Sequence, residues 1–501
     1  MIEAEVHSKL RAFLRAKGGL DWPHNLTMAR LVARAMRVGR SALIQTSTRL
    51  ERYCLSYLAP GAIGSEPVII VIPSQKKEFV RDRIVEFQAW LEIDKEIRIA
   101  DRVEPDFRGI VLTSSSVWLR DRLENSGKFP QHITTIIDRA DDLEEKARTV
   151  LTSTIEPRDW SELTEKYPDF TPAIRDLKIK LTKTIFAPPK NLYKSRLIEA
   201  ADRQNLANLL EILAAAGSLT PVFAEFWQQW RANSDNIVWA AIRSFESGQF
   251  NLNIAPAKLT KPLSKIWPQQ PVVLIGSFLD WENNAPIYRQ ELGIEPDILC
   301  LKFSPNRQNE HLQLYLPDRL PLPNTPDFKA ALIQQMRSLI SLAIKKDKSI
   351  VLLVEDVPLQ SQVGATLAAE FGSIVRVEKT HLGQKTILLS GWKFWREHQE
   401  KLPTPDLLAI ATLPIPSLEN PLVAARVARY KSKRQDWFRF YLLPTALREM
   451  QNAIAPLRES QGILALLDNR VERRSYGKII LNALEPYARI NYLDPNWFDT
   501  Y

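Results

Sequence analysis

A layered α/β fold is predicted, with a parallel-sheet unit at each end of the chain and a helical insert interrupting the first. Three observations predict it. Short apolar runs bounded by breakers recur in the first 150 residues and again after about residue 270; helix-period stretches separate them; and from about 150 to 266 the strand signals stop. Strands covered by helices on both faces lose their in–out alternation and read as continuous apolar runs. Alternation of such strands with helices gives an α/β layer architecture.

Met28, Leu31, Val32, Ala35 and Met36 recur at helix spacing, and Arg30, Arg34 and Arg37 form a second stripe, so one helix face packs while another is basic. Buried parallel strands are then expected in SALIQ (41–45), PVIIVIP (67–73), GIVLTS (109–114) and HITTIID (132–138). The segment 150–266, with LANLLEILAAAG and VFAEFWQQW, reads as helical with aromatic anchors. Strands resume in PVVLIGSF (271–278), DILCLKF (297–303), SIVLLVEDV (349–357), KTILLSG (385–391) and LLAIATLPIP (407–416). The proline-rich LPDRLPLPNTPDF (316–328) is the expected linker, because proline resists both helix and central strand, and a second α/β unit is expected after it.

Composition narrows the function classes. Two cysteines, Cys54 and Cys300, in 501 residues cannot supply a disulfide framework, a four-cysteine zinc site or a cysteine-held iron–sulfur cluster. No apolar run reaches the ~18 residues of a membrane span, since the stretch from Leu206 to Phe223 is interrupted by Glu211, Ser218 and Thr220. The opening MIEAEVHSKL lacks a signal peptide's basic end and apolar block, so a cytoplasmic location and no membrane partner are expected. The 67 Lys and Arg against 58 Asp and Glu give a net charge of +9, which makes a polyanion a reasonable partner. Glycine is scarce, 17 in all, and phosphate-cradling loops need it.

The sequence contains no G-x-x-x-x-G-K-[ST], G-x-G-x-x-G, G-x-S-x-G or H-E-x-x-H motif. Its acidic candidate is IIDRADDLEEKAR, where Asp138 ends a buried strand and Asp141, Asp142, Glu144 and Glu145 follow. That position suits a magnesium ligand in a nucleotide site; an acidic first turn complementing a helix dipole explains the same letters. The basic candidate is RVARYKSKRQDWFRFY, where Arg426, Arg429, Lys431, Lys433, Arg434 and Arg439 meet a single acid, Asp436, and are interleaved with Tyr430, Trp437, Phe438 and Tyr441. Cations neutralise phosphates and aromatics stack bases, the combination used on single strands, whereas a solvated helix with a buried aromatic face reads identically. A second cluster, Arg470, Arg473, Arg474 and Lys478, favours a phosphate-binding surface.

Residues from Asn420 to Leu484 resemble the carboxyl end of DinG-type and XPD-like helicases, superfamily-two DNA translocases. The resemblance is carried by Pro421-Leu422, the basic stretch, Leu443-Pro444, Ala446, Gln451, Arg458, Asp468, Arg470 and Tyr476-Gly477-Lys478. It implies two RecA-like parallel-sheet domains in tandem with a helical arch-like insertion in the first. The implied division is 1–150 and 267–320 for the first domain, 151–266 for the insertion and 321–501 for the second domain. ATP and magnesium are the family's cofactors; its XPD branch also carries an iron–sulfur cluster, which two cysteines cannot supply, so the cluster-free branch is implied.

Most motif positions implied by the resemblance have lost their chemistry. The phosphate loop falls on TSTRLERY (46–53), where Thr46, Ser47, Thr48, Arg49 and Arg52 stand without glycine or lysine. Lysine would neutralise the β/γ charge and glycine would let backbone N–H groups reach the phosphates. Asp-Glu-Ala-His becomes Asp138-Arg139-Ala140-Asp141, with an arginine in place of the carboxylate that orients water. The Ser-Ala-Thr element reads Gly276-Ser277-Phe278, and the Phe-Trp-Glu-Gly-x-Asp element, 394–399, keeps only Phe394-Trp395. In the last motif Gln451 and Arg458 are kept, Ile454 and Ala455 replace glycine and the first arginine, and Pro456 is expected to end the helix near Ala455. The expected function is a degenerate helicase that binds nucleic acid, single-stranded DNA foremost, has lost ATP hydrolysis and serves as an accessory beside repair or replication proteins. The alternatives are an active helicase with a non-standard nucleotide site and a protein-interaction module without DNA binding.

Overall fold

The apolar runs become strands. The computed structural model describes residues 1–493 except 20–21, 233–234, 308–309 and 384–385. Its first domain opens with β1 (Ala42–Gln45), β2 (Val68–Val71), β3 (Ile97–Ile99), β4 (Ile110–Thr113) and β5 (Thr135–Asp138). The insertion contains β6 (Ser153–Ile155), β7 (Ser195–Leu197), β8 (Asn236–Ser244) and β9 (Gln249–Pro256). The chain then returns through β10 (Val272–Gly276) and β11 (Leu299–Lys302). The second domain holds β12 (Leu312–Tyr315), β13 (Ile350–Leu353), β14 (Val375–Val377), β15 (Ile387–Ser390), β16 (Leu407–Ile410), β17 (Ile463–Leu466) and β18 (Tyr487–Ile490).

Two seven-stranded sheets result, ordered β11-β1-β10-β5-β2-β4-β3 and β14-β15-β13-β16-β17-β12-β18. Every pair in both is parallel. Helices sandwich each sheet and bury its central strands on both faces, as continuous apolar runs require. The helix Asn25–Val38 behaves as its spacing predicts, with Met28, Val32 and Ala35 buried and Arg30, Arg34 and Arg37 exposed. This is the fold expected from the sequence: two RecA-like α/β domains in tandem with an insertion in the first.

Two details correct the sequence reading. The stretch 151–266 is not wholly helical: it carries a four-stranded sheet, β6-β9-β8-β7, with antiparallel pairing throughout. Its signal was diluted because Asn251 and Asn253 alternate with the buried Phe250, Leu252 and Ile254. Helices Pro157–Lys166, Thr171–Phe186, Ala200–Ala216 and Pro221–Ala232 pack on this sheet around Trp160, Leu210, Phe223 and Phe226. The boundary at 320/321 also moves, because β12 already belongs to the second sheet, paired with β17 and β18. The proline-rich stretch therefore lies inside the second domain, between β12 and the helix Phe328–Lys345. Among the described residues, no single helix is long and apolar enough to cross a membrane.

Candidate functional site

In parallel sheets, ligands bind beyond the carboxyl ends of the strands. At the ends of β1, β5 and β10 lie the loop 46–49, Asp138 and Gly276, facing the second domain's helix Leu443–Glu459. All the residues predicted for the nucleotide site gather in or beside this interdomain cleft except Gln451 and Arg458.

Its loop is bonded to the protein itself. Thr46 N–H donates to Gly276 O at 2.9 Å and Ser47 N–H to Ser277 O at 2.9 Å. Ser47 adopts φ of +55° and donates its hydroxyl to Phe303 O at 2.8 Å. In a phosphate cradle such amides face the ligand. The two cations beyond are paired as well: Arg49 with Glu459 of the second domain, and Arg52 with the buried Glu310, which also accepts from Asn306 N–H at 2.7 Å.

Asp138 is 1% exposed and accepts three bonds, from Tyr53 Oη at 2.5 Å, Tyr57 Oη at 2.7 Å and Arg139 N–H at 2.7 Å. Burial pushes its carboxyl up to about 6 against the pull of these donors. Tyr53 and Tyr57 are four residues apart across a short helix, Leu50–Tyr53, and the start of the next, Leu55–Ile63, so both phenols reach the same carboxylate. Asp141, also buried, accepts from Ser277 N–H at 2.9 Å and Phe278 N–H at 2.8 Å. Gly276 is needed beside it, because a Cβ there would sit 2.8 Å from Asp141 Oδ2. Arg139 pairs with Asp142 at 3.4 Å and with Glu400 of the second domain at 3.3 Å.

On the opposite wall, the expectation that Pro456 ends the helix is corrected: the helix runs on to Glu459. Pro456 sits in the last turn, where the bond it cannot donate is lost near the end of the ladder. The retained Gln451 and Arg458 do not line the cleft. Their side chains donate to Ala483 O at 2.5 Å and Leu484 O at 2.6 Å, the last carbonyls of helix Gly477–Leu484. Arg458 is 3% exposed, and burial lowers its guanidinium to about 10. Asn452, Ala455, Pro456 and Glu459 face the cleft instead. Beside the loop the space left between the walls is about 40 Å³, room for a few water molecules, and a second interdomain pocket of about 440 Å³ lies next to it, lined by Lys76, Ser114, Arg139, Arg396 and Glu400.

The basic stretch divides in two. Arg426 reaches Glu144 at 3.7 Å and lies over the Tyr441 ring, and Arg429 donates to Asn236 O at 2.9 Å and is ion-paired with Asp235 of the insertion. Arg470 is clamped on the fully buried Asp468 at 2.5 Å. These three, read from sequence as phosphate ligands, are held by protein carboxylates. By contrast Lys431, Lys433, Arg434, Arg473, Arg474 and Lys478 are exposed. Lys431 stands over the half-buried Trp437 ring at 5.3 Å, and Lys433 lies 3.8 Å from Asp235.

Sequence reasoning missed the hub behind this stretch. Glu144, in the helix after Asp138, takes Arg148 at 3.1 Å, Arg448 at 3.5 Å and Arg426. Burial raises its carboxyl, but the three guanidiniums outweigh burial and hold it at about 2. Only the acidic run itself hinted at it.

No family model matches the chain. The ATP-dependent DNA helicase YoaA of Escherichia coli (strain K12) is 23% identical over 260 residues, 48% of this chain. The match spans 40% of that curated relative's length. Solved structures of S. tokodaii Xpd4 and of apo XPD are similar, each with a TM-score of 0.60, at 12% and 13% identity. The alignments cover 93% of this chain and 99% and 100% of those chains. Over nearly its whole length this chain shares the fold of those XPD structures, and over about half of it the sequence is similar to that of YoaA.

Proposed function

We propose that this protein is a degenerate helicase that binds nucleic acid, single-stranded DNA foremost, and no longer hydrolyses ATP. One observation carries the loss of hydrolysis: Asp138, the carboxylate that would meet magnesium, has both oxygens occupied by the phenols of Tyr53 and Tyr57. The residues present do not fit a nucleotide–magnesium pair, because the loop amides of Thr46 and Ser47 are bonded to carbonyls and Arg49 to Glu459. Nor do they fit an iron–sulfur cluster: Cys54 and Cys300 are single thiols, and among the described residues no group of three or more metal-ligating side chains is assembled.

Nucleic-acid binding is supported by the net charge of +9, by Lys431 standing over the Trp437 ring, and by the exposed Lys433, Arg434, Arg473, Arg474 and Lys478. The relative's name, a DNA helicase, points to the same polymer. Such a protein would act beside repair or replication enzymes, holding strand rather than moving along it.

ATP turnover with and without single-stranded DNA, run beside anisotropy titrations of a labelled oligonucleotide at two salt concentrations, tests this. Salt-sensitive binding without turnover is expected. Alanine at Lys431, Lys433 and Arg434 should reduce the log–log salt slope by about 2, at ~0.7 per phosphate contact on single strands. DNA-stimulated turnover would mean a working helicase with an unusual site, and an unaltered slope would move the DNA surface elsewhere.

A further inference from the structure

The two domains are bridged at several points across their cleft, which is nearly filled beside the eroded loop and open to a pocket of about 440 Å³ next to Glu400. At one side Glu459 of the second domain is ion-paired with Arg49 and lies 3.4 Å from Thr48 Oγ1, both in the eroded loop of the first. In the middle, Ser277 Oγ is 2.8 Å from Asn452 Oδ1. At the other side, Glu400 of the second domain takes Lys76 at 2.8 Å and Arg139 at 3.3 Å. Glu459 and Lys76 are 16% and 19% exposed, while their partners Arg49 and Glu400 are 37% and 42% exposed, so solvent reaches one side of each pair and salt screens it in part.

The arrangement of charge is specific. A nucleotide joins two such domains as an anion gripped by cations from both sides. Around the eroded loop the anions are two carboxylates carried by the second domain and the cations Arg49, Lys76 and Arg139 belong to the first, while elsewhere between the domains Glu144 of the first takes Arg426 and Arg448 of the second. We propose that Glu459 and Glu400 take the place of a nucleotide's phosphates as the bridge between the domains, making the chain a clamp that is closed without nucleotide. The inference rests on the reading that this cleft no longer turns over ATP. It adds that affinity for a strand held across both domains is independent of nucleotide and is tuned by ionic strength.

Small-angle scattering at low salt tests it. The wild-type radius of gyration should match that of the closed structure and stay unchanged with saturating magnesium–ATPγS. The Glu400→Lys/Glu459→Lys double variant, which sets like charges against Arg49, Lys76 and Arg139, should have a larger radius with unchanged far-UV circular dichroism. Adding Arg49→Glu and Lys76→Glu should restore the wild-type radius. A wild-type chain that is open, or that contracts on adding nucleotide, overturns the proposal even if the variants fail to fold, and so does a double variant that stays closed. ATP turnover on the same sample separates the two readings: turnover overturns the loss of hydrolysis, whereas an open wild-type chain without turnover overturns the clamp alone.

Discussion

Replacing Asp138 by asparagine tests the chemistry of the cleft directly. The carboxyl is buried, held by two phenols and one amide, and raised from 3.8 to about 6. Because the folded value lies above the unfolded one, its contribution to stability is fully present below about pH 4 and is lost as pH rises through 6. The shift corresponds to about 3 kcal/mol in all. Between pH 5 and pH 8 linkage gives about 1 to 2 kcal/mol, because part of the change lies below pH 5. Asparagine has nearly the same shape and no charge, so the stability of Asp138→Asn relative to wild type should rise by that amount from pH 5 to pH 8. Urea denaturation of both proteins across this range cancels every other titrating group. In thermal melts the same difference is about 2 to 8 °C for a domain of this size. A difference that stays flat with pH would refute the picture of a carboxyl desolvated beneath Tyr53 and Tyr57.

Three further outcomes are expected. Tyr57→Phe removes a phenolic donor from Asp138 and should cost about 1 to 3 kcal/mol at pH 8, with the carboxyl titrating higher still; unchanged denaturation and titration would show that the bond carries nothing. Glu144→Gln leaves Arg148, Arg426 and Arg448 without their central acid and should cost about 3 to 5 kcal/mol near neutrality. Because Glu144 is held low, that deficit should shrink as pH falls from about 5 toward 2, and a deficit that grows would contradict the assignment. Trp395→Ala, in the aromatic pair kept from the eroded motif, empties a site 1% exposed and should cost about 3 to 5 kcal/mol in denaturant, while a loss under 1 kcal/mol would mean the core refills it.

How legible a strand was depended on its run of apolar letters. The interior strands β1, β2, β4, β5, β10, β13, β15 and β16, covered on both faces, were readable as apolar runs, and so was the edge strand β11. The other edge strands, β3, β14 and β18, were not, because Arg98, Arg376 and Arg489 interrupt them where solvent lies on one side, and β12 and β17, inside the second sheet, were not read either. The loop 46–49 was found through the resemblance and Asp138 as the acid ending an apolar strand, and the two lie together. Their partners were not legible, since Arg49 meets Glu459 across 410 residues and no local pattern encodes that pairing. Retained letters also misled: Gln451 and Arg458 match the motif, yet they hold the end of a neighbouring helix.

The insertion's entry and exit strands, β6 and β9, are hydrogen-bonded to each other, Ser153 opposite Ile254. They leave and rejoin the first sheet between β5 and β10, which are themselves paired neighbours. An unfolded excursion of about 130 residues would have to close before those neighbours could meet. Once the insertion has folded on its own core, about 30 flexible residues remain to be closed, roughly two doublings fewer and ~1.3 kcal/mol less loop entropy to overcome. A chain interrupted in the middle of its sheet can therefore assemble that sheet almost as if the interruption were a short loop, provided the insertion folds first.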